Sequence, residues 1–153
     1  MTENDALKHA IDAGRGSMCA KSKRGVVIFS RSAGIISAAS NGPPPGFKCD
    51  GSDACKAGCG LVAVHAEQRA ILDAHYFGKA VSRTEMLHVK VVDGKAVPSG
   101  GPSCVHCSKL ILGANIEVMW LLEDVGGLPT LVRYTALDFH RATLKNCGLH
   151  VGR

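Results

Sequence analysis

From residue 62 onward the apolar residues switch repeatedly between a helical and a strand period, and that switching leaves few architectures open. Residues 62–77 place Ala66, Ala70, Ile71 and Ala74 at three- and four-residue steps, the spacing of one buried helical face. Residues 85–92 read as a strand, 103–113 as a helix, 116–122 as a strongly apolar strand, 130–146 as a last helix and 148–151 as a short final strand. Ahead of them, residues 5–15 carry Ala6, Leu7, Ala10, Ile11 and Ala13 mostly on one helical face, with Asn4 or Asp5 as the cap. Residues 25–30 form a buried strand, joined by a short polar turn to a hairpin partner at 34–39. This order predicts an α/β domain in three layers, α/β/α, with a partly parallel sheet between helices.

The 153 residues fit one domain, spanning 1–153. A chain this long buries about 70% of its unfolded surface and needs no disulfide staples. One segment resists the periodic pattern. Residues 41–60 hold Pro43, Pro44 and Pro45, several glycines, and Cys49, Cys55 and Cys59. So long an irregular loop inside a compact domain is usually functional or metal-stapled.

Two short motifs carry chemistry. His65-Ala66-Glu67 opens the helix after the loop, and Pro102-Ser103-Cys104-Val105-His106-Cys107 opens another. One histidine and two cysteines suit zinc and leave a fourth position for water, whose pKa zinc lowers to about 7. At a helix start, unsatisfied amides and the helix dipole favour the thiolates that zinc requires. Glu67, two residues past His65, is placed to move the water's proton to a ring nitrogen and then to a leaving amine. Either motif alone is weak. Together, each at a helix start, they match the signature of zinc nucleobase deaminases.

More of the chain is similar to one family. The run Asn41-Gly-Pro-Pro-Pro-Gly-Phe47 through Cys49, the His65-Ala-Glu-x-x-Ala-Ile71 block and the entry Cys19-Ala-Lys-Ser-Lys-Arg-Gly25 resemble deoxycytidylate (dCMP) deaminases. The resemblance implies a five-stranded mixed sheet of the cytidine-deaminase type, a homo-oligomer, and hydrolysis of dCMP or a modified dCMP to the uracil form plus ammonia. It also implies that Asn41 contacts the sugar. Three departures stand out: Ser103 replaces the proline usual before the first cysteine, residues 89–101 are longer than usual, and Arg69 stands where asparagine is typical.

Cys19, Cys49, Cys55 and Cys59 form a second pattern. Some members of the family hold a structural zinc in this region, and four thiolates would tie the loop to the sheet edge. The alternative is free thiols packed as small hydrophobes. Cys147 reads as a core residue. His106 is expected to point away from the metal, and His88, among apolar neighbours, to be a satisfied core histidine with a reserve role at the second metal.

The formal charge is +5, from 18 Lys and Arg against 13 Asp and Glu. Lys8, Arg15, Lys21, Lys23, Arg24 and Arg31 crowd one early stretch. That excess serves either a solvated face or attraction to phosphate. Lys21, Lys23 or Arg24 could meet the single phosphate of a nucleotide. A polynucleotide substrate, tRNA adenosine or single-stranded cytosine, is the rival, disfavoured by an aromatic content of 5%. A non-catalytic zinc-binding module is the other, and Glu67 counts against it. No basic start followed by an apolar run marks a secretory signal, and no apolar stretch is long enough for a membrane helix. Seven cysteines without an export signal point to a reducing compartment, so a cytoplasmic protein without membrane contact is expected.

Overall fold

The computed structural model describes residues 1–149. Its elements are, in order, α1 (Glu3–Arg15), β1 (Lys23–Ser30), β2 (Gly34–Ser40), α2 (Asp53–Val62), α3 (Ala66–Tyr76), β3 (Glu85–Val92), β4 (Lys95–Val97), α4 (Val105–Gly113), β5 (Val118–Val125), β6 (Leu128–Thr135) and α5 (Ala136–Asn146). One mixed sheet runs in the order β2-β1-β3-β5-β6, with the short β4 paired to β3 off that path. Only β3 and β5 pair in parallel; the other neighbours are antiparallel.

Successive strand residues point to opposite faces, so each central strand feeds two cores. Val27, Phe29, Leu87, Val89 and Trp120 face α1 and its small residues Ala6 and Ala10. Val26, Ile28, Met86, Met119 and Leu121 face the other way, onto Ala66 and Ala70 of α3, Ile111 of α4, and Ala136 and Phe139 of α5. Phe29, Ile28, Met86 and Leu87 are fully buried. Each such side chain contributes about 1.5–3 kcal/mol relative to exposure. The expected three-layer α/β/α domain is therefore present.

Within it, the structure differs from expectation in four places. Residues 128–135 are strand rather than the start of the last helix. Gly126 and Gly127 both have positive φ (63° and 85°) and close a two-residue hairpin that returns the chain beside β5. The helix then begins after Thr135, whose hydroxyl accepts from the Asp138 amide. The sheet has six strands, because Asp93 and Gly94 (φ 50° and 74°) make a second tight hairpin that adds β4. The five on the continuous path include β6. The final strand expected at 148–151 is not formed by residues 148 and 149, and its remainder lies outside the described residues. Part of the long loop is helical: Ser52 caps α2 by accepting from the Cys55 amide. Glycines and cysteines within α2 hid its period.

Candidate metal centre and active site

Two helix N-termini on the same face of the sheet build the site. His65 is the N-cap of α3 and Cys104 the N-cap of α4. The residue before His65 is pinned by a two-way bridge between Val64 and Gly42. The Gln68 side chain accepts from the His65 amide at 3.0 Å, which fixes the turn. His65 Nδ1 then lies 3.2 Å from Cys107 Sγ and 3.4 Å from Cys104 Sγ. Among the described residues, these three form the one group of potential ligands whose atoms all lie within 4.8 Å of one another. Donors sharing a tetrahedral zinc sit about 3.6 Å apart, given bond lengths of about 2.0–2.3 Å. The donor set fits such an ion.

Electrostatics favour it too. Donation from the Cys107 thiol, with His65 and the Cys107 amide adding to it, holds the Cys104 thiol down at about 4 despite its burial. The same pairing pushes Cys107 far up and raises His65, whose ring leans on Cys104. One thiol is thus held ready as the thiolate that a zinc ion at these three residues would require. Glu67 is only 9% exposed, with Oε2 3.7 Å from Cys107 Sγ.

In front of these residues opens a cleft of about 280 Å³, walled by Lys21, Ser22, Arg24 and Asn41 on one side and by His65 and Glu67 on the other. Asn41 Oδ1 accepts from the Ser17 hydroxyl and the Arg24 amide, both at 2.8 Å, and its Nδ2 donates to the Ser22 carbonyl at 2.7 Å. Its polar atoms knit the cleft wall together. Arg24 spends Nε on Ser22 Oγ (3.0 Å), and burial lowers its pKa against the pull of Glu67. Lys23 points elsewhere, into a separate depression beside Arg15 and Asp93.

No protein-family model matches the sequence, and no curated protein matches it. Solved structures do. The dCMP deaminase from the cyanophage S-TIM5 in complex with dCMP and dUMP gives a TM-score of 0.64 at 19% identity, over 98% of this chain and 94% of that one. Its apo form gives 0.61 at 20% identity, over 82% and 86%. A cytidine deaminase from Burkholderia pseudomallei gives 0.64 at 16% identity, over 91% and 96%. The fold is that of the dCMP and cytidine deaminases.

On this deaminase fold the three departures acquire a structural account. Arg69 Nη2 donates to the Pro43 carbonyl at 2.8 Å and so anchors the proline run that follows β2. The long segment 89–101 is the β3–β4 hairpin and its exit, and Ser99, Gly101 and Ser103 wall a narrow slot beside Glu67. The end of α5 holds that exit: Asn146 Nδ2 donates to the Pro102 carbonyl (2.8 Å) and Cys147 Sγ to the Ser103 carbonyl (3.4 Å). Cys147 is therefore exposed, not in the core, because it ends a helix instead of lining one.

The other cysteines gather at the cleft's edge. Cys49 Sγ lies 3.4 Å from Cys55 Sγ and accepts from the Ala20 amide at 3.3 Å. Cys19 is buried, and Cys19 and Cys59 line both the cleft and a second cavity of about 250 Å³ beneath α2. The four sulfurs do not all lie within 4.8 Å of one another. His88, like Cys147, departs from the expectation. It is not packed in the core but faces the site, with Nε2 4.0 Å from Glu67 Oε1. The strand alternation that puts Met86 toward α3 puts His88 there too, which is the signal that finds it.

Proposed function

We propose that this chain is a zinc-dependent hydrolase of the cytidine-deaminase superfamily that converts a cytosine nucleotide, dCMP or a modified dCMP, to its uracil form with release of ammonia. One observation carries this: His65, Cys104 and Cys107 converge from two helix starts with a buried carboxylate, Glu67, beside them. His65, Cys104 and Cys107 would hold zinc, which when bound would supply a water acidified enough to give up a proton at neutral pH. Glu67 takes the proton and delivers it to the ring nitrogen next to the amino-bearing carbon, so that this carbon accepts the oxygen. Glu67 then takes the proton of the new hydroxyl and passes it to the exocyclic amine, which leaves as ammonia while the carbon–oxygen bond becomes the carbonyl.

The cleft is of a size for one nucleotide, and the S-TIM5 enzyme of the same fold is a complex with dCMP and dUMP. Lys21 and Arg24 border the cleft as partners for a single phosphate, and Asn41 as a wall against the sugar. A second, structural zinc on Cys19, Cys49, Cys55 and Cys59 belongs to the same proposal, supported by the Cys49–Cys55 approach and by the loop's few apolar residues. Exposed Leu61, Leu72, Tyr76 and Phe77 on α2, α3 and the turn after α3 support a homo-oligomer, since subunit contacts would cover them. Among the described residues no helix is long and apolar enough to cross a membrane.

The test is to incubate the zinc-loaded protein with a panel of nucleotides, nucleosides, bases and a tRNA, and to assay ammonia. dCMP or a modified dCMP should be preferred, with affinity falling only shallowly with salt, as one phosphate contact requires. Glu67→Ala should keep zinc and fold yet lose about 10²–10⁴-fold in turnover. No ammonia from any nucleotide, or a near-normal rate in that variant, refutes the assignment.

A further inference from the structure

His88 is 9% exposed and sits in the middle of β3. Its register partners are Val26 on β1 and Leu121 on β5, both on the face that α3 covers. It lines the narrow slot beside Glu67 and also the outer cleft. Among the described residues, neither ring nitrogen has a hydrogen-bond partner. Among the described residues no side-chain nitrogen or oxygen is both sealed from solvent and unpaired, so the His88 nitrogens open onto the slot and the cleft, where a ligand can reach them. The nearest polar atom is Glu67 Oε1, at 4.0 Å from Nε2, too far for a hydrogen bond.

That separation has a use. Two atoms 4.0 Å apart can both lie about 2.9 Å from one shared nitrogen, subtending roughly a right angle there. Glu67, when ionised, can only accept. A group that satisfies both must present two hydrogens if His88 Nε2 also accepts. An amino group does; a carbonyl oxygen meets two acceptors and is repelled. We infer that His88 is a substrate-contacting residue that, with Glu67, forms a two-acceptor clamp on the exocyclic amine and so distinguishes the amino substrate from the oxo product. This rests on the deaminase assignment above. It requires a neutral ring with its proton on Nδ1. Burial lowers the His88 pKa, while Glu67 and Cys104 oppose that shift and Arg24 and His65 reinforce it.

The experiment compares zinc-loaded wild type, His88→Leu and His88→Gln. It measures kcat and KM for dCMP, calorimetric affinity for dUMP, zinc content and thermal stability. His88→Leu should keep zinc and Tm but lose about 10- to 100-fold in kcat/KM, the range of a lost hydrogen bond in a buried site. Its affinity for dUMP should be unchanged or tighter. His88→Gln, whose side-chain oxygen also accepts, should recover part of the loss. A His88→Leu protein within twofold of wild type, or one that weakens substrate and product equally, overturns the clamp while leaving the deaminase assignment intact. Wild type that neither releases ammonia nor binds either nucleotide overturns both. Should His88→Leu fail to fold, His88→Met, which also lacks a nitrogen or oxygen acceptor, carries the same comparison against His88→Gln.

Discussion

Gly25 is the most exacting position outside the site. A Cβ built there falls 1.9 Å from the Ala10 carbonyl oxygen, 2.5 Å from the Gly14 nitrogen and 2.9 Å from the Gly14 Cα. All three atoms belong to the backbone of α1, so no side chain can swing aside. Ordinary contact begins at 3.4 Å, and α1 must therefore retreat from β1 by about 1.5 Å. A gap of even about 0.5–1 Å forfeits a quarter to a half of the dispersion attraction across it. The loss spreads along the row Ala6, Ala10 and Gly14, which are buried against the sheet. Overpacking a rigid contact costs about 1–3 kcal/mol, occasionally more, and Gly25→Ala should stand at or above the upper end. At about 2–4 °C per kcal/mol for a chain of this size, Tm should fall by at least about 6 °C. Gly58→Ala is the control: it lies inside α2, and its Cβ would meet only Val62 Cγ2 at 3.8 Å. That variant should gain about 0.5–1 kcal/mol of helix propensity. Urea denaturation of both variants gives the comparison. A Gly25→Ala midpoint equal to wild type would show that α1 is not seated against β1 as described.

Replacing Cys104 and Cys107 by serine should remove one zinc per chain, read by elemental analysis; unchanged metal would place the ion elsewhere. Two zinc ions per chain are expected in wild type, and a Cys55→Ser, Cys59→Ser protein should lose one and unfold more easily, whereas a single ion in fully active protein refutes the second centre. Acid should weaken the fold through Glu85. Burial raises its pKa, but Arg31 (2.6 Å to Oε1) and the Trp120 indole (2.7 Å to Oε2) outweigh that and hold it below 4.5. A depressed carboxyl stabilises above its unfolded pKa and loses that contribution as pH falls through the folded value. Glu85→Gln should therefore flatten the acid arm of a stability–pH curve and cost about 1.5–3 kcal/mol at neutral pH; an unaltered acid arm would contradict it.

The metal motif was legible because its geometry is local. His65 and Glu67 share one helical turn and Cys104 and Cys107 another, so spacing alone fixes each half. The two sheet faces were legible in β1, β3 and β5, whose long apolar runs have no other use. β6 was not, because an edge strand is mostly exposed and its residues Leu128 to Thr135 show little apolar alternation. The turns carried the missed signal: Gly126-Gly127 and Asp93-Gly94 are two-residue hairpin pairs, and each sets a strand that periodicity overlooks. His88 was misread for a different reason. A strand pattern tells which face a residue takes but not whether that face meets core or cavity, and only the arrival of α3 and α4 over Leu121 decides it.

The latch between Asn146 and Cys147 and the carbonyls of Pro102 and Ser103 ties the candidate metal centre to the end of the last helix. His65 and Cys104 can begin their helices early, since caps are local. The loop that aims Cys104 is completed only when residues near the far end of the sequence have docked. An ion held by His65, Cys104 and Cys107 would therefore depend on the docking of the last helix. Fraying at that helix end costs little free energy by itself. Coupled to the loop it loosens, each such opening should lower the retention of an ion held there, so the dissociation rate of bound zinc should report on the stability of a helix terminus that never touches it.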